Sequence, residues 1–178
     1  VTQGITAAQI VNTASQEELT RIIRSYGEEK WAARIAAMVC EHRAQRPLAT
    51  TGDLVRAVDA AIPKAVRQRE EGHPARRTFQ AIRIAVNDEL DPLDQALCDL
   101  VDMLRPGGVL AVITFHSLED RVVKRCFQRL ERPCICPPKA PICTCGRVSQ
   151  GKVMARGAIA PTAEEVAANP RSRSSKLR

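Results

Sequence analysis

Apolar positions recur every three to four residues through the first third of the chain. Leu19, Ile22, Ile23 and Tyr26 share one helical face, behind Ser15 and Glu18 at capping-box spacing. After Gly27, a second helix over 28–44 collects Trp31, Ile35, Met38 and Val39, and Pro47 breaks it. Thr51 is placed to cap a third helix with Leu54, Val55 and Val58 inside, and Pro63 helps to end it. Stripes of this kind are helix-packing surfaces before they are ligand sites. Residues 64–72 are polar and charged and read as a linker, so residues 1–72 form a helical domain plus linker.

Helical spacing resumes in HPARRTFQAIRIAVNDEL, residues 73–90, at Phe79, Ile82, Val86 and Leu90. Asp91 caps a restart with Pro92 in the first turn, and Leu93, Leu97, Leu100, Val101 and Leu104 then face a core. Arg105, Pro106, Gly107 and Gly108 make a turn. Residues 109–115, VLAVITF, abandon the helical period for a continuous apolar run. Such a run predicts a strand buried on both faces, as in the middle of a parallel sheet flanked by helices. Ser117 is read as the cap of a following helix, with Asp120 closing the box and Val122, Val123, Cys126, Phe127 and Leu130 inside. This helix–turn–strand–helix is one α/β unit that needs parallel neighbours, and the chain offers no good second strand. The rest of the sheet is expected outside these 178 residues or from another chain. The chain opens on Val1 rather than methionine, and reads as a piece of something longer.

Composition narrows the picture. The chain is 44% hydrophobic, enough for one core with a small appendage. No apolar run is long enough to span a bilayer, and the N-terminus lacks the basic-then-apolar pattern of a signal peptide. The net charge of +7 is uneven: residues 121–178 hold 13 Lys/Arg against 3 Asp/Glu, whereas residues 1–120 hold 14 against 17. A basic tail on a mildly acidic body implies a polyanionic partner, most simply nucleic acid. Aromatics are only 3%, so recognition should lean on phosphate charge and shape rather than base stacking.

Two places carry candidate chemistry. In open α/β sheets, ligands bind beyond the carboxyl ends of strands, and His116 and Ser117 lie at such an end. Capping alone accounts for Ser117 and Asp120, whereas His116 either meets a substrate or bonds to nearby backbone. A serine hydrolase is disfavoured, because no G-x-S-x-G elbow surrounds Ser117. The second place is CICPPKAPICTC, within a Cys-rich loop at 133–146, where Cys134, Cys136, Cys143 and Cys145 form a symmetric C-x-C…C-x-C. Seven cysteines without a secretory signal point to reduced thiols or a metal site. The two C-x-C arms are tighter than the commoner C-x₂-C zinc knuckle. Free thiols are therefore the preferred reading, a zinc clip the alternative, and no metal ligand is assigned.

The stretch LRPGGVLAVITFHSLEDRVVK resembles the late strand of a class I S-adenosylmethionine-dependent methyltransferase. HPARRTFQAIRIAVNDEL, GGVLAVITFHSLEDRVVKR and NPRSRSSKLR, in that order, resemble the bacterial 16S rRNA cytosine-N4 methyltransferase family. The helical stretch at 9–62 is similar to that family's inserted helical domain, so the resemblance covers nearly the whole chain. It implies an α/β fold: the C-terminal part of a Rossmann-like methyltransferase over 73–178, with an all-helical insertion before it. It implies N4-methylation of a cytidine in 16S rRNA of the small ribosomal subunit, S-adenosyl-L-methionine as methyl donor, and a cytoplasmic setting. It leaves the oligomeric state open, a homodimer included. On the substrate side, His116, with Ser117 beside it, would contact base or ribose. Arg76, Arg77 and Arg83 would hold phosphates, the plainer alternative for them being a solvated helix face.

Two departures qualify the resemblance. Arg76 stands where the family usually carries a smaller residue. The family's glycine-rich cofactor loop, its acidic ribose-binding residue and its Asp-Leu-Gly motif have no counterpart here. The catalytic and cofactor residues are therefore expected upstream of Val1, and the isolated chain is expected to be inactive. The competing reading is a non-enzymatic, basic RNA-binding module with a four-cysteine zinc clip.

Overall fold

Thr6 opens the first helix of the computed structural model. Its Oγ1 accepts the Gln9 amide while Gln9 Oε1 takes the Thr6 amide at 2.7 Å. The structure describes residues 4–69, 72–137 and 142–178. Helix α1 (Ala7–Thr13) is followed by α2 (Gln16–Gly27), which Ser15 caps as the sequence predicts. Glu28 ends α2 in the left-handed conformation, at φ +50°, and the Glu29 carboxylate takes the Trp31 amide at 2.9 Å. Helix α3 (Ala32–Gln45) therefore begins later than the expected 28. Helix α4 (Thr51–Ala61) is capped by Thr50 rather than Thr51. Asp53 decides between the two threonines, because it stands at the third helical position counted from Thr50. Its Oδ2 accepts the Thr50 amide at 2.8 Å, the Thr50 hydroxyl at 2.8 Å and the Ala49 amide at 3.1 Å. The Thr50 bonds foremost, with the Ala49 amide and the Arg56 charge, hold Asp53 well below the usual carboxylate range despite its burial. A single helical turn, α5 (Lys64–Arg67), falls inside the expected linker, with Arg67 reaching back to Asp59 at 2.9 Å.

The chain divides in space between Glu89 and Leu90. Sequence reasoning sets the division at 72–73, yet α6 (Arg76–Asn87) packs with the helices before it. Phe79, Ala81, Ile82, Ala85 and Val86 share one core with Ile22, Ile23, Ile35, Val39 and Val58. The reason is a close approach of α6 to α2. A Cβ on Gly27 would lie 2.7 Å from the Arg77 carbonyl oxygen, so only glycine lets the two backbones meet there. Gln80 Nε2 adds a hydrogen bond to the Tyr26 carbonyl at 3.3 Å.

The second unit comprises α7 (Asp91–Asp102), β1 (Ile113–Thr114), α8 (Ser117–Glu131), α9 (Ala163–Ala168), a 3-10 turn at Pro170–Ser174 and β2 (Lys176–Leu177). Leu97, Val123 and Cys126 form its centre, with Leu93, Cys98, Leu110, Val112, Phe127 and Leu130 around them. Leu90, not Asp91, occupies the cap position of α7, and Pro92 lies in the first turn as expected. Leu100 and Leu104, expected in a core, are exposed.

The strand requires the main correction. Residues 109–115 are not a doubly buried parallel strand. Only Ile113 and Thr114 are regular strand, and they pair antiparallel with Leu177 and Lys176. Val112 and Arg178 exchange backbone hydrogen bonds at 2.8 and 2.9 Å, and Ile159 and Leu177 do so at 2.9 Å each way. Exposure alternates along the run. Leu110, Val112 and Thr114 turn inward, whereas Val109, Ala111, Ile113 and Phe115 turn outward, uncovered among the described residues. Side chains on this run therefore follow the period of a strand packed on one face only. The observed architecture is mostly helical with a small two-stranded antiparallel sheet. Among the described residues, no helix is long and apolar enough to cross a membrane.

Two glycine substitutions in the first unit should have opposite signs. Gly27→Ala places a methyl against the Arg77 carbonyl and should cost about 1–3 kcal/mol, despite the better helix propensity of alanine. At Gly52 the nearest atoms stand 3.6 Å or more from an added Cβ, so Gly52→Ala should gain up to about 1 kcal/mol. Thermal melts of the two variants beside the parent check both signs, and a stabilised Gly27→Ala would refute the close-approach account.

Candidate substrate-binding site

The chain leaves β1 at Phe115 and starts α8 within two residues, and a capping box makes the turn. His116, not Ser117, is the cap. Its Nδ1 accepts the Glu119 amide at 3.3 Å, while Glu119 Oε2 takes the amides of Phe115 and His116 at 2.9 and 3.3 Å. Glu119 closes the box instead of Asp120 because it lies three residues after His116, and its longer side chain reaches back two amides. Its charge also sits in the first turn, where the helix dipole favours an acid. Ser117 becomes the first helical residue and is exposed.

This cap fixes the state of the imidazole. With Nδ1 accepting a backbone N–H, the neutral ring carries its proton on Nε2. Nε2 is buried, lies 3.1 Å from Glu119 Oε1 but out of line with it, and makes no hydrogen bond among the described residues. The ring is only 11% exposed. His116 thus holds its Nε2 beside the Glu119 carboxylate at the strand's carboxyl end, without a hydrogen bond among the described residues.

Asp120, freed from capping, serves another purpose. Arg178 forks onto it, Nε to Oδ1 at 2.6 Å and Nη2 to Oδ2 at 3.1 Å, and Lys176 Nζ stands 3.6 Å away. The Arg178 hydrogen bonds chiefly, aided by the charges of Arg178 and Lys176, hold Asp120 below the usual carboxylate range against the opposing push of burial. The Thr114 hydroxyl donates to the Lys176 carbonyl at 3.4 Å. The tail is therefore attached to β1 through its backbone and to the start of α8 through its side chains.

The three arginines expected to meet phosphate lie on α6, in the first unit, and differ in availability. Arg83 forks onto Glu89, with Nε and Nη2 each at 2.9 Å. Arg77 Nη1 lies 3.9 Å from the buried Glu29 carboxylate. Arg76 is exposed, with no ion pair among the described residues. In the tail, Arg171 and Arg173 are likewise exposed in the 3-10 turn. Sequence reasoning missed Glu119 and Arg178. His-x-x-Glu has the spacing of a capping box, so Glu119 was findable. Arg178 lies 58 residues from Asp120 and carries no local signal.

The profile of the MraW methylase family matches residues 1–178. The chain is 56% identical over 177 residues to a "Ribosomal RNA small subunit methyltransferase H" of Symbiobacterium thermophilum, covering 99% of this chain and 55% of that protein. It is 52% identical to the protein of that name from Heliobacterium modesticaldum, over 98% of this chain and 56% of the relative. The figure for the Finegoldia magna protein is 49%, over 98% and 56%. The chain thus spans about 55% of the length of the curated relatives it matches.

Attachment of the tail should follow the charge of Asp120. Its folded pKa lies below the unfolded value of about 3.9, so its contribution is fully present above that value. The contribution is lost as pH falls through the folded value. Hydrogen exchange at the Leu177 and Arg178 amides should stay protected from neutrality to about pH 5 and weaken below about pH 4. Asp120→Asn should remove about 1.5–3 kcal/mol of that protection at neutral pH. Protection indifferent to both changes would sink this account.

Proposed function

The chain belongs to the MraW methylase family, and we propose that it is the substrate-side, C-terminal part of a methyltransferase acting on N4 of a cytidine in 16S rRNA. The observation that carries this reading is identity of 49–56%, over nearly all of the chain, with proteins named as small-subunit rRNA methyltransferases. The basic tail and the outward apolar face of residues 109–115 are consistent with it. The face offers packing surface to the part of such a protein that this chain does not span. A non-enzymatic RNA-binding module would explain the charge but not that identity.

The chemistry assigns this chain a positioning role. The exocyclic amine of cytosine is a poor nucleophile, because its lone pair is conjugated into the ring. Methyl transfer needs that amine held in line with the donor at near-attack distance. In this reading the buried Nε2–H of His116 donates to the base carbonyl or to a ribose hydroxyl, and the cap at Glu119 keeps the ring in that tautomer. Ser117 lines the same edge. Arg76 in the first unit meets phosphate, as do Arg171 and Arg173 in the second. Arg77 shares its charge with Glu29, and Arg83 must first leave Glu89.

S-adenosylmethionine would supply the methyl group, and the residues described here do not compose a site for it. Gly107 and Gly108 precede the strand rather than follow it, so they form no glycine-rich turn at its carboxyl end. The donor site and the acceptor for the amine proton are assigned to the part of the relatives that this chain does not span. The reaction occurs in the cytoplasm, where ribosomal subunits are made.

A chimera tests this reading. This chain is joined to the portion of the Symbiobacterium thermophilum relative that it does not cover, and small-subunit RNA is digested after reaction. The expected product is N4-methylcytidine, with none from the 178-residue chain alone. An inactive chimera beside an active relative, or methylation at another atom, would overturn it. In the active chimera, His116→Ala should lower kcat/KM by about 10–100-fold, the worth of one hydrogen bond in a dry site. In RNA binding by the chain itself, Arg76→Ala should reduce the salt slope by about one.

A further inference from the structure

Beyond the methyltransferase reading, the Cys-rich loop remains without a role. Its four cysteines are brought together at the end of α8. The sulfurs of Cys134, Cys136, Cys143 and Cys145 all lie within 4.8 Å of one another. Cys143 stands 3.6 Å from Cys134, 3.8 Å from Cys136 and 3.5 Å from Cys145, and Cys145 stands 3.9 Å from Cys134. A tetrahedron with zinc–sulfur bonds of about 2.3 Å has sulfur–sulfur edges of about 3.8 Å. These four separations match those edges and are far from the about 2.05 Å of a disulfide.

Among the described residues, nothing else in the loop accounts for the cluster. Ile135, Ile142 and Val148 are all exposed, so their packing does not drive the sulfurs together. The loop is anchored at its base by the Gln150 amide on the Leu130 carbonyl at 3.0 Å and the Val153 amide on Glu131 Oε1 at 2.9 Å. Gly146, at φ +64°, turns the chain directly after Cys145, a conformation glycine adopts without strain.

We propose that Cys134, Cys136, Cys143 and Cys145 bind one zinc ion as a closed tetrathiolate clip that holds the loop at the end of α8. Coordination releases to solvent the protons the thiols still carry, leaving a dianionic complex with no change of oxidation state. All four positions are protein sulfur, so the site is structural and has no place for substrate. Two C-x-C arms were the reason to prefer free thiols from sequence. The folded loop brings the arms together across the loop rather than asking either arm to span the metal alone. The remaining cysteines are set apart: Cys40 makes no sulfur contact among the described residues, and Cys126 is buried 4.0 Å from Cys98, with burial foremost pushing it up to about 12.

The test uses the 178-residue chain purified without chelator in mild reductant. Mass spectrometry should find about one zinc per chain, and cobalt exchanged into the site should give the intense visible bands of a tetrahedral tetrathiolate. Cys143→Ser should weaken metal binding at least about tenfold. Cys145→His should retain zinc, because three thiolates and one imidazole also hold it, and Cys40→Ser should leave the stoichiometry unchanged. Less than about 0.2 zinc per chain, both as purified and after anaerobic zinc addition, would overturn the proposal. So would an intact mass showing disulfides among these four under the same conditions, which would mark a redox pair instead.

Discussion

The second unit depends on a carboxylate that is released from one duty to perform another. Because His116 and Glu119 cap α8, Asp120 is left to receive the Arg178 guanidinium. That fork fixes β2 beside β1 and sets the register of Lys176 and Leu177. The core beneath is small, with Leu97, Val123 and Cys126 as its fully buried members. A two-stranded ribbon is marginal by itself in water. Both partners of the ion pair are largely enclosed, and loss of one would leave the other charge buried. The remaining elements of this unit, from the Ile159 bridge to the Thr114 hydroxyl, are arranged around that attachment.

Much of the first unit was legible because its signals are local. Leu19, Ile22, Ile23, Ile35, Val39, Leu54 and Val58 are buried where the helical period puts them. The errors cluster at helix starts, and three fall one residue late: Thr51 for Thr50, Asp91 for Leu90, Ser117 for His116. In two of the three, an acid three residues downstream closes a capping box, Asp53 with Thr50 and Glu119 with His116, and only at His116 does the cap depart from the usual preference for a hydroxyl. The boundary at 72–73 shifted for a different reason. A shared core and a close backbone approach at Gly27 draw α6 to the earlier helices, and no window of sequence contains both sides of those contacts.

The candidate site was legible in outline. His116 stands at the end of the strand as expected, but the mode of its support came from Glu119, and the strand's own partner came from the distant tail. Bulk charge was also only a partial guide. The basic tail implies a polyanionic partner, yet within it Arg178 and Lys176 pair with Asp120, and outside it Arg83 on α6 is matched by Glu89. Arg76, Arg171 and Arg173 face water, as do Lys124, Arg125, Arg147, Lys152 and Arg156.

The outward row of Val109, Ile113 and Phe115 has a further consequence. It lies along the run that contains β1, whose one edge is taken by β2, and among the described residues the other edge of β1 has no strand beside it. Apolar side chains on an open β-edge are a template for pairing between molecules. The chain kept by itself in concentrated solution will therefore tend to aggregate through this row, while the repulsion of its basic tails works against clumping at low ionic strength. Its shelf life in a test tube is a competition between one greasy edge and one charged end, and added salt tips it toward the precipitate.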